Sequence, residues 1–242
     1  MDDLPLMFTE QIMTCLPAPE AAFQRGQSVE AMFLSQVIAG GEGQTSSPFT
    51  DTILLVTMGG RCLSHQQNSS VQRPQSNFAD EFLRRHQRLE SALLSQVAKT
   101  LARVEDESRF TDSMLLFTVM TAHATALSLY TALLSCKSDS SGFEAAMRSY
   151  EAKTSTSAYQ ILDLMQKLAE LSLYKVHPLT PIPLTLCAKF ARSRMSTDPS
   201  FRPIFQAMCN ALQELSPINR LAQVCLNKLG QAFEGSDEHQ LH

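Results

Sequence analysis

The sequence predicts an all-α fold: seven or eight helices in one irregular helical domain. Three observations lead there. Four times a capping residue stands directly before a proline, at Ser47-Pro48, Thr180-Pro181, Asp198-Pro199 and Ser216-Pro217, and each pair precedes an apolar run. A capping oxygen accepts a bond from an orphan backbone N–H, and proline at the first helical position forgoes no bond it needed. Apolar residues in these runs recur at spacings of three and four. No stretch alternates as a half-buried strand would, and none repeats at a fixed period.

The elements follow in order. Residues 28–39 read as a short helix stopped by Gly40-Gly41, with a loop over 40–47. Pro48 opens a helix to about residue 67, in which Phe49, Ile53, Val56, Gly60 and Leu63 share one face. Leu54, Leu55 and Met58 fill other faces, so this helix is expected to be buried all round. Gly59-Gly60 in its middle costs roughly 1 kcal/mol per residue against alanine. The compensation expected is close approach of a neighbouring helix, or a kink. The polar stretch 66–75, with Asn68-Ser69-Ser70 and Pro74, reads as a loop.

Residues 77–104 form the next helix, striped by Phe82, Leu89, Leu93, Val97 and Leu101, with Asp80 and Glu81 favouring its dipole. Another starts at Thr111 or Asp112. Residues 142–174 are periodic at both ends, and Thr154-Ser155-Thr156-Ser157 could bend or break them. Helices over 199–215 and 217–233 close the chain. One domain is expected over residues 1–235, followed by a disordered tail over 236–242.

Bulk properties exclude several classes. The 242 residues are 44% apolar, enough for a real core, and only 18% charged. A net charge of −4 is no footprint for nucleic acid, which wants a basic face against the phosphates. The six cysteines (Cys15, Cys62, Cys136, Cys187, Cys209 and Cys225) are scattered without metal-ligand spacing and read as reduced, mostly buried thiols. The first residues show neither a signal nor a transit pattern. Residues 114–134 carry a single ionisable group, His123, and are long enough to span a membrane. Their five Thr and Ser residues, and the absence of a Lys/Arg cluster close on either side, favour a buried core helix instead.

Chemistry is hard to find. There is no zinc motif, no Gly-Lys-Ser/Thr phosphate cradle and no Gly-x-Ser-x-Gly elbow. The only Asp-Asp is Asp2-Asp3, at a terminus expected to be disordered rather than on a helix that could hold magnesium. His65, His86, His123 and His177 have no carboxylate or cysteine at a triad spacing, and His123 reads as a core residue. The basic run Arg84-Arg85-His86-Gln87-Arg88 reads as a solvated face paired with Glu81 and Glu90. The sequence therefore predicts no enzyme, no catalytic residue, no cofactor and no metal.

Two stretches stand out: residues 54–65, ending in Gly60-Arg61-Cys62-Leu63-Ser64-His65, and His177-Pro178-Leu179-Thr180-Pro181-Ile182-Pro183. Together they resemble the regulatory domain, or middle homology region, of fungal binuclear-zinc-cluster transcription factors. That family shows an apolar helix ending in Gly-Arg-x-x-x-His and a later His-Pro-Phe-Thr-Pro-Ile-Pro-like turn. Leu179 stands where phenylalanine is common. Leu16-Pro17 with Phe23, and residues 82–94, resemble two further blocks, and the order of all four agrees. The family-signature residues are thus Gly60, Arg61, His65, His177, Pro178, Pro181 and Pro183.

The resemblance implies a nuclear, all-helical regulator of transcription, in fungi often of a secondary-metabolism pathway. The cysteine cluster of full members is missing from these residues, so no direct DNA contact is expected. Action through protein partners, such as full-length zinc-cluster regulators, is expected instead. Eleven Met and 13 Phe residues suggest the alternative of an apolar pocket for a small-molecule effector. A truncated regulator without function is the remaining alternative.

Overall fold

A computed structural model describes residues 14–38, 47–71, 78–102, 112–135 and 141–237. Among them lie nine α-helices and no strand: α1 (Glu20–Gln24), α2 (Leu34–Ile38), α3 (Pro48–Val71), α4 (Phe78–Leu101), α5 (Ser113–Ser135), α6 (Ser141–Ala169), α7 (Pro181–Arg194), α8 (Phe201–Leu215) and α9 (Arg220–Asp237). The all-α expectation holds.

Helices α3 to α6 run up, down, up, down. Gln96 Nε2 donates to Asp51 Oδ1 at 3.1 Å while His86 meets His65, so α3 and α4 are antiparallel. Thr52 hydrogen-bonds Thr118, and a Cβ added at Gly59 would lie 3.3 Å from Thr125 Oγ1. Both pairs share one offset of 66 residues, so α3 and α5 are parallel. His86 packs on Tyr150 and Lys153 Nζ reaches Glu90 at 2.7 Å, which aligns α4 with α6. Helices α7, α8 and α9 pack on one another as a second group, which meets α5 through α7 and α6 through α7 and α8.

The core has one large and two small parts. Leu116, Met120, Leu127, Tyr130, Ile161, Leu184, Ile204 and Met208 belong to the large one. Leu55, Met58, Cys62, Leu93, Ala122 and Leu129 join α3, α4 and α5. Leu16, Leu34 and Leu54 hold the N-terminal segment against α3. Helix α5 touches α3, α4, α6 and α7, and 78% of its most apolar window is buried. Four of its hydroxyls are satisfied within the helix: Thr118, Thr125, Ser128 and Thr131 donate to the carbonyls of Met114, Thr121, Ala124 and Leu127. Burial against other helices accounts for its apolar length.

The structure corrects several expectations. Of the four proline pairs, Ser47 caps as expected, its Oγ accepting from Thr50 N at 3.1 Å. Thr180 has helical backbone (φ −52°, ψ −32°) and makes no cap bond. Asp198 accepts from Ser200 N at 2.9 Å, but α8 starts only at Phe201. Ser216 donates backwards to Gln213 O, and Asn219 caps α9 by accepting from Leu221 N at 3.0 Å. Pro48 and Pro181 are nonetheless the first residues of α3 and α7, whereas Pro199 and Pro217 lie in turns that precede α8 and α9.

Helix α3 is not buried all round: Phe49, Val56 and Leu63 are 52%, 48% and 43% exposed. It also continues to Val71, through the first half of the expected loop. Gly59 does allow the close approach expected of it, to α5; a Cβ at Gly60 would meet nothing within 4 Å. Helix α6 runs unbroken through Thr154-Ser155-Thr156, because these hydroxyls donate to carbonyls of their own helix. It stops at Ala169, and a 3-10 turn (Leu173–Lys175) follows. The expected helix over 28–39 shrinks to α2, since Leu16 N takes the Met32 carbonyl at 2.8 Å and holds that segment extended. Of the expected tail, residues 236–237 end α9 and 238–242 lie outside the described residues, as do residues 40–46 of the expected loop over 40–47 and residues 72–75 of the one over 66–75.

Candidate functional site

The signature residues fall into two places. Gly60, Arg61 and His65 lie on the second half of α3. His65 is 2% exposed and stacks on Phe82 of α4, with ring centroids 4.4 Å apart and planes 20° apart. Its Nε2 lies 3.3 Å from His86 Nδ1. His86 is fully buried and meets Tyr150 of α6 edge-on at 4.8 Å. Three helices thus converge on one polar-aromatic layer.

The electrostatics of that layer are set by burial. Desolvation, then the His86 and Arg85 charges, lowers His65 to about 4. Desolvation lowers His86 to about 4 against a small opposing pull from Glu90. Burial raises the Tyr150 phenol above its ordinary range, and Glu90 adds to it. Two neutral imidazoles can share one proton across 3.3 Å; two imidazoliums cannot face each other there. His86 Nε2 is buried with no hydrogen-bond partner among the described residues. Burial favours the neutral form of both rings, and the layer joins three helices.

The basic run that contains His86 is therefore not a uniform solvated face. Arg84, Arg85 and Arg88 are exposed, but His86 points inward, and Glu90 pairs with Lys153 rather than with a neighbouring arginine. The signal was present: the stripe Phe82, Leu89, Leu93 passes through position 86 at helical spacing.

His177, Pro178, Pro181 and Pro183 form the bend from α6 into α7. His177 stacks on Phe117 of α5 at 4.1 Å and 18°, and its Nδ1 accepts from Leu179 N at 3.3 Å. The Pro178 carbonyl accepts from Asn219 Nδ2 at 2.8 Å. Pro181 and Pro183 are buried in the first turn of α7. By the register of α3 against α5, His65 lies level with Thr131, about 14 residues along α5 from Phe117. At 1.5 Å rise per residue, the two signature clusters are roughly 20 Å apart. They do not make one site.

Other polar ties join the layers. Arg194 of α7 ion-pairs with Glu151 of α6, and its Nη1 donates to Tyr130 of α5 at 3.2 Å. Arg192 donates to the Leu229 carbonyl of α9 at 3.1 Å. No regular spacing announced either one. His123 is buried on α5, which lowers it to about 4. Cys62, Cys187 and Cys225 are buried free thiols; burial pushes Cys62 and Cys187 up to about 12. Among the described residues no three His, Cys, Asp or Glu groups converge on a metal position. Two open depressions lie there, one lined by Asp80, Leu83, Arg84 and Gln87, the other along residues 19–30.

Comparison with known proteins supplies what this geometry does not. The chain is 39% identical over 236 residues to the transcription factor tazR of Aspergillus terreus, covering 96% of this chain and 37% of the relative. It is 36% identical over 229 residues to the pigment biosynthesis transcriptional activator pigB of Monascus ruber, covering 94% of this chain and 41% of that protein. It is 32% identical over 218 residues to the citrinin biosynthesis transcriptional activator ctnR of Monascus purpureus, covering 89% of this chain and 37% of that one.

The chain is a homologue of fungal transcription factors. It spans about two fifths of the length of the curated relatives it matches. No family model matches it, and no solved structure does.

Proposed function

We propose that this chain is the helical regulatory region of a pathway-specific transcription regulator, one that governs a fungal secondary-metabolite gene set from the nucleus. The observation that carries the reading is the similarity to cluster activators over 89–96% of the chain. Two signature clusters embedded in helix junctions support it, because they serve the architecture of the domain rather than a reaction. On this reading the segment is the regulatory domain named above, the middle homology region, and it works by contacts to protein rather than by gripping DNA. The net charge of −4 favours protein contacts over phosphate.

The test is genetic and physical. Deletion and overexpression of the gene are followed by transcript profiling of metabolite gene clusters. A coordinated change in one cluster is expected, together with nuclear accumulation of a tagged copy. Co-purification with full-length zinc-cluster regulators of the same organism tests the partner route. Unchanged transcripts in both strains would overturn the reading; cluster control without any such partner would remove only the partner route.

A further inference from the structure

The proline bend leaves an apolar surface open. Leu179 and Ile182, one helical step apart at the start of α7, are 44% and 43% exposed. Ile218, in the turn before α9, is 42% exposed. The Asn219–Pro178 hydrogen bond ties these two segments together, which brings Leu179 and Ile218, the chain neighbours of the bonded residues, to one junction. Tyr174, on the 3-10 turn leading into the bend, is 86% exposed. Single exposed apolar residues are ordinary, but four in the segments that meet at one bend mark it as a candidate surface.

Charge says what would cover it. Lys175 and Arg220 flank the patch, one beside Tyr174 and one beside Asn219, and neither pairs with a described carboxylate. The surrounding segment is basic as well. Residues 171–228 hold seven Lys and Arg against two acidic residues, Asp198 and Glu214, in a chain whose net charge is −4. A basic rim around an apolar centre matches a segment that presents bulky apolar side chains between carboxylates. Nucleic acid fits worse, since its phosphates gain nothing from Leu179, Ile182 and Ile218.

We propose that the bend formed by Tyr174, Leu179, Ile182 and Ile218, with Lys175 and Arg220 at its rim, is a docking surface for an acidic, apolar peptide segment of a partner protein. The apolar centre supplies contact area, and the two cations select the charge and orient the segment. The inference rests on the patch alone and stands apart from the transcription reading.

The probe is a fluorescein-labelled synthetic peptide of about 16 residues, in which Leu-Phe pairs alternate with Glu pairs, an acidic-motif recognition format. It is titrated against the full chain by fluorescence anisotropy. Saturable binding is expected, with roughly tenfold weaker affinity for the Lys175→Glu, Arg220→Glu double variant and for a peptide with Gln in place of Glu. Ile218→Ser is expected to weaken binding as well, while Arg88→Glu, an exposed charge change on α4 outside that basic segment, leaves it within about twofold. All four positions are exposed, and circular dichroism verifies that each variant keeps its helix content. No saturable binding overturns the proposal. So does binding that Arg88→Glu weakens as much as the double variant, which would make it a matter of net charge alone. A duplex DNA that binds as tightly and displaces the peptide would also overturn it.

Discussion

His65 Nε2 faces His86 Nδ1 across 3.3 Å, with Phe82 stacked on one ring and Tyr150 edge-on to the other. This contact decides how the domain responds to acid. Both rings are held near 4 in the folded state, against 6.5 as the ordinary value. Between those values the unfolded chain binds more protons than the folded one, so stability rises with pH through that window and falls as the pH drops. His123 adds in the same direction. The loss is on the order of 2 kcal/mol for each buried ring on going from about pH 7 to about pH 4. Urea unfolding across that range should show a falling midpoint. His86→Phe, which keeps an aromatic ring on Tyr150 but carries no proton, should flatten the slope. A midpoint independent of pH would mean that the rings are not held neutral.

The neighbouring glycines of α3 should behave in opposite ways. A side chain at Gly59 meets Thr125 Oγ1, and that hydroxyl is already committed to the Thr121 carbonyl. Gly59→Leu therefore forces α3 away from α5 and should cost about 1–3 kcal/mol. Gly60 opens on free space, so Gly60→Ala brings only its helix propensity, a gain of roughly 1 kcal/mol. Thermal melts of the two variants test the pair. Equal destabilisation would show that the helix contact is not confined to Gly59.

These glycines also show how far sequence reading reaches. Periodicity located the long helices and the buried character of α5, because both follow from local spacing of apolar groups. It placed Phe49, Val56 and Leu63 in the core, although the structure turns them outward. A stripe marks a face; only packing against α5 and α4 selects which apolar face goes inside, and Leu55, Met58 and Cys62 win that place. The proline pairs marked the helix junctions but not the capping atoms, since Asn219 rather than Ser216 caps α9. The signature residues were visible as unusual strings. Their separation across the bundle was not, because it depends on the parallel register of α3 and α5.

Arg194 offers a test of which contact matters at a layer junction. It ion-pairs with Glu151, whose side chain is 52% exposed, and donates to Tyr130, which is 1% exposed. Solvent screens the first contact; the second satisfies a buried phenol. Arg194→Ala should cost about 1–2 kcal/mol in urea unfolding, because Tyr130 loses its donor. Glu151→Gln should cost under about 0.5 kcal/mol. The reverse order would show that the ion pair is the stronger tie.

Asn219 performs two tasks with the two ends of one amide. Its Oδ1 accepts from Leu221 N and caps α9, and its Nδ2 donates to the Pro178 carbonyl and fixes the proline bend. Asn219→Ala should lose both, costing about 2 kcal/mol. Asn219→Asp separates them: a carboxylate still caps the helix, but it cannot donate, and it sets a negative charge against a carbonyl oxygen. The Asp variant should therefore keep the α9 amides protected from hydrogen exchange while exchange at the bend, read at Leu179 and Thr180, speeds up. The Ala variant should loosen both regions. If the Asp variant leaves exchange at the bend unchanged, the bend is held by His177 stacked on Phe117 and by the buried Pro181 and Pro183, and Asn219 is a helix cap alone.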